Sequence, residues 1–462
     1  FVAANLNLNG VNGYKTSSTA SGTLAGGECY VMMGYAAMFR GTGDAAYLVT
    51  LADHALHVLG RRDSALKLKD YAGRSRPCWQ ATKYSTGSKP YCWAVHTGML
   101  TYPMADLAWL VSQHPEHKGL PVPGGLTLGQ AAQKVLAEVH GSVAVHDAQY
   151  KGGPGSGEGH YRGEAGAPVS VAGKALPLNQ MTALGRTLAV LAQISAKTVY
   201  KQRATALATY LRNRMTKSGA SYVWTYWGDS WSSGKGEDIS HAAINADFAR
   251  LCHDLGIVFG AADARRLART LADNVHQTSD VVADRVDGSG STGTYRWAVA
   301  RWLNLAPHDA RVWPVAANIY RGTTSTTSGS RLLGLANIAR HAPPLREYTF
   351  YHVDWSDKGS YKKATAYGAN LLVDPPKPGS PCALRIGYRA SKPAWVDQWD
   401  GKAYHHGHRL AATTGSAFAW AYAPYDPKIY HAYSGTRALL QFTDSFVKGQ
   451  GIEVKEVPAV VD

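Results

Sequence analysis

The sequence predicts a mainly α-helical fold: an (α/α) toroid or barrel of about six to seven helical hairpins, followed by a smaller C-terminal β-rich domain. Two observations support this prediction. Apolar residues recur at helical spacing through the first 340 residues, as in 47–59 and 267–275. After Pro343 and Pro344, short runs that alternate apolar and polar residues replace that spacing.

The helical part extends over residues 1–342, which we predict to be the catalytic toroid domain. Ala-rich helical segments alternate there with Gly- and Pro-rich connections such as 118–125 and 150–168. Paired helices over this length favour a toroid over a four-helix bundle. Long polar loops on a helical scaffold often build a substrate cleft, and 150–168, 228–237 and 284–294 are of this kind.

The C-terminal part, residues 343–462, is predicted to be a separate β-rich domain of ordinary size. Gly, Pro and Asp separate its alternating runs, which predict strands. These runs are Tyr348–Val353, Ala383–Tyr388, Ala394–Trp399, Ser416–Tyr422 and Ala438–Phe446.

The net charge restricts the class of partner. Lys and Arg number 48 against 33 Asp and Glu, so the formal charge is +15, and such a surface attracts polyanions. No helix-turn-helix, RRM or zinc-finger pattern is present, so we predict an acidic polysaccharide and no nucleic acid. A basic surface that serves only solubility is the alternative. No apolar window of about 18 residues occurs, so no membrane span is predicted.

Cysteine usage bears on the compartment. The chain has five cysteines, and Cys78 and Cys92 flank a short polar loop. They form either a disulfide in an oxidising compartment or two buried thiols. The chain begins at Phe1 without a leader, so we expect that any signal peptide has been removed. The expectation is a secreted or periplasmic monomer.

Aromatic composition points to sugars. The chain has 13 Trp and 26 Tyr but only 8 Phe. Trp and Tyr combine an apolar face with a polar atom, which suits stacking on sugar rings, although about half of them are expected to be core residues. Tyr226 and Trp227 come shortly before a polar, helix-opening segment that contains His241.

Three short segments carry a family resemblance: LPLNQ (176–180), TGTYRWA (292–298), and the run 222–227 followed by EDISHAAIN (237–245). They resemble helical-toroid polysaccharide lyases and the helical domain of glucuronyl C5-epimerases. The best resemblance is to polysaccharide lyase family thirty-eight, which acts on glucuronan and alginate, and it covers about residues 20–340. It implies cleavage of an unsulfated polyuronate by β-elimination, and open loops around a toroid favour endo attack. The alternatives are a uronyl C5-epimerase and a non-catalytic protein that binds acidic glycans.

The resemblance also implies catalytic roles. β-Elimination needs donors that stabilise charge at the uronate carboxylate, a base at C5 and an acid at the departing oxygen. Asn179, alone or with Gln180, is implied as the neutralising residue, and His241 as the base. Tyr295 is implied as the acid, or as the base for one stereochemistry. Each has a structural alternative: a helix cap for Asn179, a structural histidine for His241 and a core aromatic for Tyr295.

A further set of polar and aromatic residues near these segments is expected to bind substrate. His96 also competes with His241 as the base, and Tyr161 competes with Tyr295 as the acid. Two arginines are included because guanidinium groups pair with carboxylates in a bidentate manner. The set is His96, Tyr161, Arg162, Gln180, Tyr226, Trp227 and Arg296.

No metal or cofactor is predicted. The HHGH cluster of His405, His406 and His408 is interpreted as an exposed loop rather than a metal site. Glu237 and Asp238 are the residue types of a glycosidase acid pair, but adjacent helical residues point in different directions. A hydrolase would therefore need a distant partner.

Overall fold

The structure is a computed structural model. It describes residues 14–15, 19–228, 235–278, 281–290, 292–321 and 328–343, and beyond these the C-terminal strands given below.

Helices dominate the chain up to residue 340. The longer ones are α1 (Cys29–Thr42), α2 (Ala46–Leu59), α3 (Ala94–Gln113), α4 (Leu128–Ala144), α5 (Leu178–Ile194), α6 (Thr198–Arg212), α7 (Ile239–Asp254), α8 (Ala261–Arg269), the 3₁₀ helix Arg296–His308, α9 (Val312–Tyr320) and α10 (Gly329–Arg340).

These helices form a double-layered ring. The inner layer is α1, α3, α5, α7, the 3₁₀ helix and α10; each packs on the next, and α10 packs on α1 to close the ring. The outer layer is α2, α4, α6, α8 and α9, each following its inner partner in sequence. The predicted (α/α) toroid is therefore confirmed. Because inner and outer helices alternate along the chain as antiparallel hairpins, all inner helices begin at the same rim.

Burial explains which helices lie inside. Nearly every residue of α3 is buried, including Thr101, Pro103 and Asp106, as expected for a helix surrounded by protein. The outer helix α8 buries only one stripe, formed by Asp263, Ala264, Leu267 and Ala268.

Outer helix α4 begins with a capping box, in which Thr127 and Gln130 satisfy each other's backbone N–H groups.

Two inner helices, α3 and α5, approach each other very closely at Gly98. A Cβ atom placed on Gly98 would lie 2.2 Å from the backbone nitrogen of Leu184. Nearby, the hydroxyls of Thr101 and Thr187 are 2.9 Å apart and share a hydrogen bond. The contact thus depends on the absence of a side chain at position 98.

Short β-hairpins lie in the connections between the helices of the toroid. They are Gln80–Ala81 with Tyr91–Cys92, Pro121–Val122 with Leu126–Thr127, Tyr150–Gly152 with Gly159–Tyr161, Thr216–Ser218 with Ser221–Val223, and His276–Thr278 with Val281–Val282. Cys78 and Cys92 form a disulfide, with a sulfur–sulfur distance of 1.98 Å. Of the two alternatives for this pair, the structure has the disulfide.

The C-terminal strands form two sheets. One contains Leu345–Glu347, Cys382–Arg389, Ala419–Tyr425 and Glu453–Val454, and its pairings are antiparallel except for the first two strands. The other contains Ala369–Val373, Arg437–Thr443, Ala394–Trp399, Tyr404–Leu410 and Ala432–Ser434. The predicted strand 348–353 lies outside the described residues, and the domain boundary at 342/343 stays a prediction.

The strands contact the toroid through α9. Asn318 of α9 donates to Nε2 of His408 over 2.9 Å, and its Oδ1 accepts from the backbone N–H of Tyr422 over 2.7 Å. The His408 ring is buried and stacks on His276 at 4.4 Å between centroids. The interpretation of the HHGH cluster as an exposed loop is wrong for His408, because this side chain fills the contact between strand and toroid. The side chains of His405 and His406 lie outside the described set.

We predict that Gly98→Ala destabilises the protein. The added methyl group meets backbone atoms of α5, which cannot rotate away, so α3 and α5 must separate. Overpacking of this kind lowers the free energy of unfolding by about 1–3 kcal/mol. Urea denaturation measures the change.

The matched control is Gly141→Ala in outer helix α4, where the nearest atom to a new Cβ is Pro77 Cγ at 3.9 Å. Alanine is favoured over glycine within a helix by about 1 kcal/mol, so this variant is expected to be as stable as the parent or more so. Equal stability of the two alanine variants would contradict the close packing at Gly98.

Candidate functional site

The rim at which the inner helices begin, here called the amino-terminal rim, collects most of the predicted site residues. The backbone N–H of Leu178, at the start of α5, donates to the carbonyl of Tyr226 over 3.1 Å. The N–H of Ile239, at the start of α7, donates to the carbonyl of Asp284 over 2.9 Å. These bonds hold the loops that precede α7 and the 3₁₀ helix against the helix starts.

Asp238 and His241 form a hydrogen-bonded pair at this rim. Asp238 caps α7 by accepting from the backbone N–H groups of Ser240 and His241, each over 3.1 Å. Its other oxygen lies 2.6 Å from Nδ1 of His241. Burial alone would raise the pKa of Asp238, but the hydrogen bonds and the charge of His241 outweigh it and lower the pKa overall. An ionised carboxylate accepts a hydrogen bond, which assigns the imidazole proton to Nδ1.

When the imidazole is neutral, the other ring nitrogen, Nε2, is therefore the one that can accept a proton. Nε2 of His241 has no protein partner among the residues that the structure describes, and 45% of the side chain is exposed. A carboxylate that orients an imidazole in this way is the usual support of a histidine base.

Tyr226 and Gln180 lie beside the histidine. The Tyr226 ring centroid is 5.3 Å from that of His241 and 4.9 Å from that of Trp227. Burial raises the pKa of Tyr226 to about 12, and a hydrogen bond from the Gln180 side chain opposes this rise. Oε1 of Gln180 is buried without a protein partner. The structure therefore brings Gln180, Tyr226, Trp227 and His241 together.

A buried polar cluster lies beneath the pair. Oε2 of Glu237 accepts from the indole N–H of Trp224 and from the amide of Asn245 over 2.6 Å. Asn245 in turn accepts from the hydroxyl of Thr182 over 2.6 Å. Glu237 is completely buried, and this burial raises its pKa well above the usual range. Glu237 is thus a buried, structural acid, and its raised pKa favours the neutral form.

Asn179, the first polar residue of α5, is also buried, with 3% of its surface exposed. Its Oδ1 has no protein partner. Buried acceptors of this kind are uncommon and costly.

Tyr295 and Arg296 lie at the start of the 3₁₀ helix and are exposed; 38% of Tyr295 is accessible. The preceding loop is tied down by Asp284, whose carboxylate accepts from the backbone N–H of Thr292 over 3.0 Å. The carbonyl of this same Asp284 binds the start of α7. Tyr295 is therefore not the core aromatic of the structural alternative.

The remaining predicted residues differ in accessibility. His96 is buried at the start of α3, and burial, together with the positive charge of Lys83, lowers its pKa to about 4. Tyr161 is fully buried against Tyr150, with ring centroids 5.5 Å apart, which leaves no surface for a sugar in this arrangement. Arg162 is exposed, and its backbone pairs with Ala175 just before α5.

Two residues of the rim were not predicted. The role of Asp238 as partner of His241 follows from a signal in the sequence, an aspartate at the helix start with a histidine three residues on. Tyr84 is one of several aromatic residues before His96, and its place at the rim depends on the path of the disulfide-closed loop, which the local sequence does not encode.

The opposite end of the inner ring has a cavity of about 200 Å³. It is lined by charged residues at the ends of the inner helices, among them Arg40, Asp106, Arg250, Asp254 and Arg340. Arg40 pairs with both oxygens of Asp106, and Arg250 pairs with Asp254. The cavity is a second candidate location for a bound ligand, but its charges largely satisfy one another.

Comparisons with known proteins give structural neighbours only. No protein-family model matches the chain, and no curated protein matches it. An α-1,6-mannanase of glycoside hydrolase family 76 from Salegentibacter sp. HEL1_6 is similar at a TM-score of 0.45 and 10% identity, over 73% of this chain and 98% of that chain. A family 76 glycoside hydrolase from Bacteroides thetaiotaomicron has a TM-score of 0.36 and 13% identity, over 66% and 58%.

A third neighbour is a GH127 β-L-arabinofuranosidase from Geobacillus stearothermophilus T6. Its TM-score is 0.38 at 10% identity, over 95% of this chain and 75% of that chain. At such low identities and TM-scores the neighbours supply no residue roles.

The resemblance to polysaccharide lyase family thirty-eight is corrected by these findings, since the neighbours are glycoside hydrolases. The predictions that followed from this resemblance are also wrong, namely a lyase, β-elimination, and glucuronan or alginate as the substrate.

Two of the segments that carried the resemblance, 176–180 and 292–298, open inner helices. They share features of helix starts that are not specific to one family. The epimerase alternative rested on the same segments.

Among the described residues, no helix is both long and apolar enough to cross a membrane.

We predict that Glu237→Gln retains both stability and activity, because glutamine can accept the same two hydrogen bonds and matches the neutral state of Glu237. Glu237→Ala leaves the indole and amide donors buried without an acceptor, which lowers the free energy of unfolding by roughly 2–5 kcal/mol. Denaturant unfolding of both variants measures the difference. An active but unstable Glu237→Gln protein would refute the neutral state, and an inactive but stable one would give Glu237 a catalytic role.

Proposed function

We propose that the chain is a polysaccharide hydrolase whose active site lies at the amino-terminal rim. The observation that supports this most directly is the Asp238–His241 pair, which leaves Nε2 of His241 accessible as a base. Aromatic and amide side chains that suit sugar binding surround it. Hydrolysis needs a base that activates water and an acid that protonates the departing oxygen.

In this proposal, Nε2 of His241 takes a proton from the water that attacks the anomeric carbon. Asp238 keeps the imidazole in the required tautomer and stabilises the imidazolium that forms. Tyr295, exposed on the neighbouring loop, is the proposed acid for the glycosidic oxygen. The acid pair Glu237 and Asp238 does not act jointly, since Glu237 is sealed beneath the rim.

The substrate-binding roles of the following residues are proposed from their positions at or near the amino-terminal rim. Tyr226 and Trp227 provide ring faces and edges, and Gln180 offers an acceptor without a protein partner. The buried Oδ1 of Asn179 is proposed to accept from a sugar hydroxyl or a bridging water once the site is filled. Arg162 and Arg296 are exposed cations on the adjoining loops, whereas the buried His96 and Tyr161 support the rim from within.

The acidic character of the polysaccharide is proposed on the formal charge of +15. Secretion or a periplasmic location is proposed on the Cys78–Cys92 disulfide, a type of bond that persists in oxidising compartments. A monomer is proposed as well, and light scattering tests it.

We predict that His241→Gln and Asp238→Asn each lower turnover by about 10²–10⁴-fold. Asparagine caps a helix as well as aspartate does, so Asp238→Asn should remain folded while it loses the carboxylate that orients the imidazole. Activity is measured as the release of new reducing ends from a panel of carboxylated, sulfated and neutral polysaccharides. Mass spectrometry in H₂¹⁸O shows whether water enters the product.

The control is His114→Gln, which changes a histidine at the carboxyl end of α3, far from the rim. It should keep full activity. Near-normal turnover in His241→Gln would remove this residue from the mechanism. Products that contain no ¹⁸O would reject hydrolysis.

A further inference from the structure

The loop that carries Lys83 and Tyr84 is fixed to the amino-terminal rim. The Cys78–Cys92 disulfide closes it, and the backbone of Gln80 pairs with Cys92. The N–H of Thr82 donates to the carbonyl of Ala20 over 2.9 Å, and the N–H of Thr86 donates to the carbonyl of Pro168 over 2.7 Å. The segment between these anchors is consequently held in place on both sides.

Tyr84 has an unusual conformation at the tip of this loop. Its φ is +70°, a left-handed value that is a genuine outlier for a bulky residue. It is also 70% exposed, more than any other large hydrophobic side chain in the described part of the chain. A strained, exposed aromatic gains nothing from burial, which points to a role in binding.

The position of this aromatic relates it to the proposed active site. Gly22, two residues beyond the Ala20 carbonyl that anchors the loop, lies against His96 at the start of α3: a Cβ on Gly22 would lie 3.1 Å from Cε1 of that ring. In agreement with this position, Tyr84 contributes to the raised pKa of Tyr226 and Lys83 to the lowered pKa of His96. The Lys83 ammonium lies over the Tyr84 ring, 5.0 Å from its centroid. The ammonium thus covers one face of the ring, and the opposite face of this exposed side chain is left available.

We propose that Lys83 and Tyr84 form a subsite for a sugar residue that carries a carboxylate or a sulfate. This inference rests on the proposed function and specifies its substrate class. The sugar ring stacks on the free face of Tyr84, and the exposed Lys83 side chain moves from the other face to the edge of the ring, where its ammonium pairs with the anionic group. A neutral sugar makes the first contact and not the second, so the subsite selects acidic polymers.

The experiment compares dextran, carboxymethyl-dextran and dextran sulfate, which share a backbone and differ in charge. Dissociation constants are measured by calorimetry in the His241→Gln background, where cleavage is suppressed. Tyr84→Gly removes the ring and suits the left-handed backbone, so the loop should stay folded. It is expected to weaken binding of the charged polymers roughly tenfold, whereas Tyr84→Phe keeps the parent affinity.

Lys83→Gln should weaken binding of the charged polymers more than binding of dextran, and Lys83→Arg should preserve the preference. The same affinity in Tyr84→Gly as in the parent would overturn the subsite, even if the enzyme hydrolyses polysaccharides. Equal loss for dextran and dextran sulfate in Lys83→Gln would overturn the acidic specificity. Tyr84-dependent binding without any hydrolysis by the wild-type protein would leave the subsite standing and refute the proposed function.

Discussion

The toroid depends on polar contacts that join neighbouring inner helices inside the ring. Arg40 of α1 pairs with Asp106 of α3, and Arg186 of α5 pairs with Asp247 of α7 over 3.0 Å. Asp247 also accepts from Asn304 of the 3₁₀ helix over 2.9 Å. A buried charge is tolerated only when it is paired, so each contact favours one register of the two helices. The ring therefore holds the starts of its inner helices at fixed relative positions.

The candidate site is a consequence of that register. Since inner helices run in one direction, their first turns and the loops before them meet at one rim. Asp238 acts there twice, as a helix cap and as the partner of His241. The neutral acid Glu237 and Asn245 fill the space below, which stabilises the floor of the site without exposing a second carboxylate.

Much of the fold was predictable, because helical spacing in the first 340 residues and alternation after Pro343 are local patterns. The positions of Gln180 and His241 followed from the same patterns, since each residue opens a helix. A resemblance to one family could not be judged from these patterns, because residues at helix starts are selected for capping in many unrelated proteins. The burial of Tyr161 and the approach of Tyr84 to the rim depend on long-range packing, which local spacing does not encode.

The claim that the amino-terminal rim is the active site is tested most directly by a crystal structure of Asp238→Asn with a bound acidic oligosaccharide. Sugar density is expected at the rim, in contact with Tyr226 and within hydrogen-bond reach of Nε2 of His241. Density confined to the cavity lined by Arg40 and Arg340 at the opposite end of the ring, with none at the rim, would contradict it.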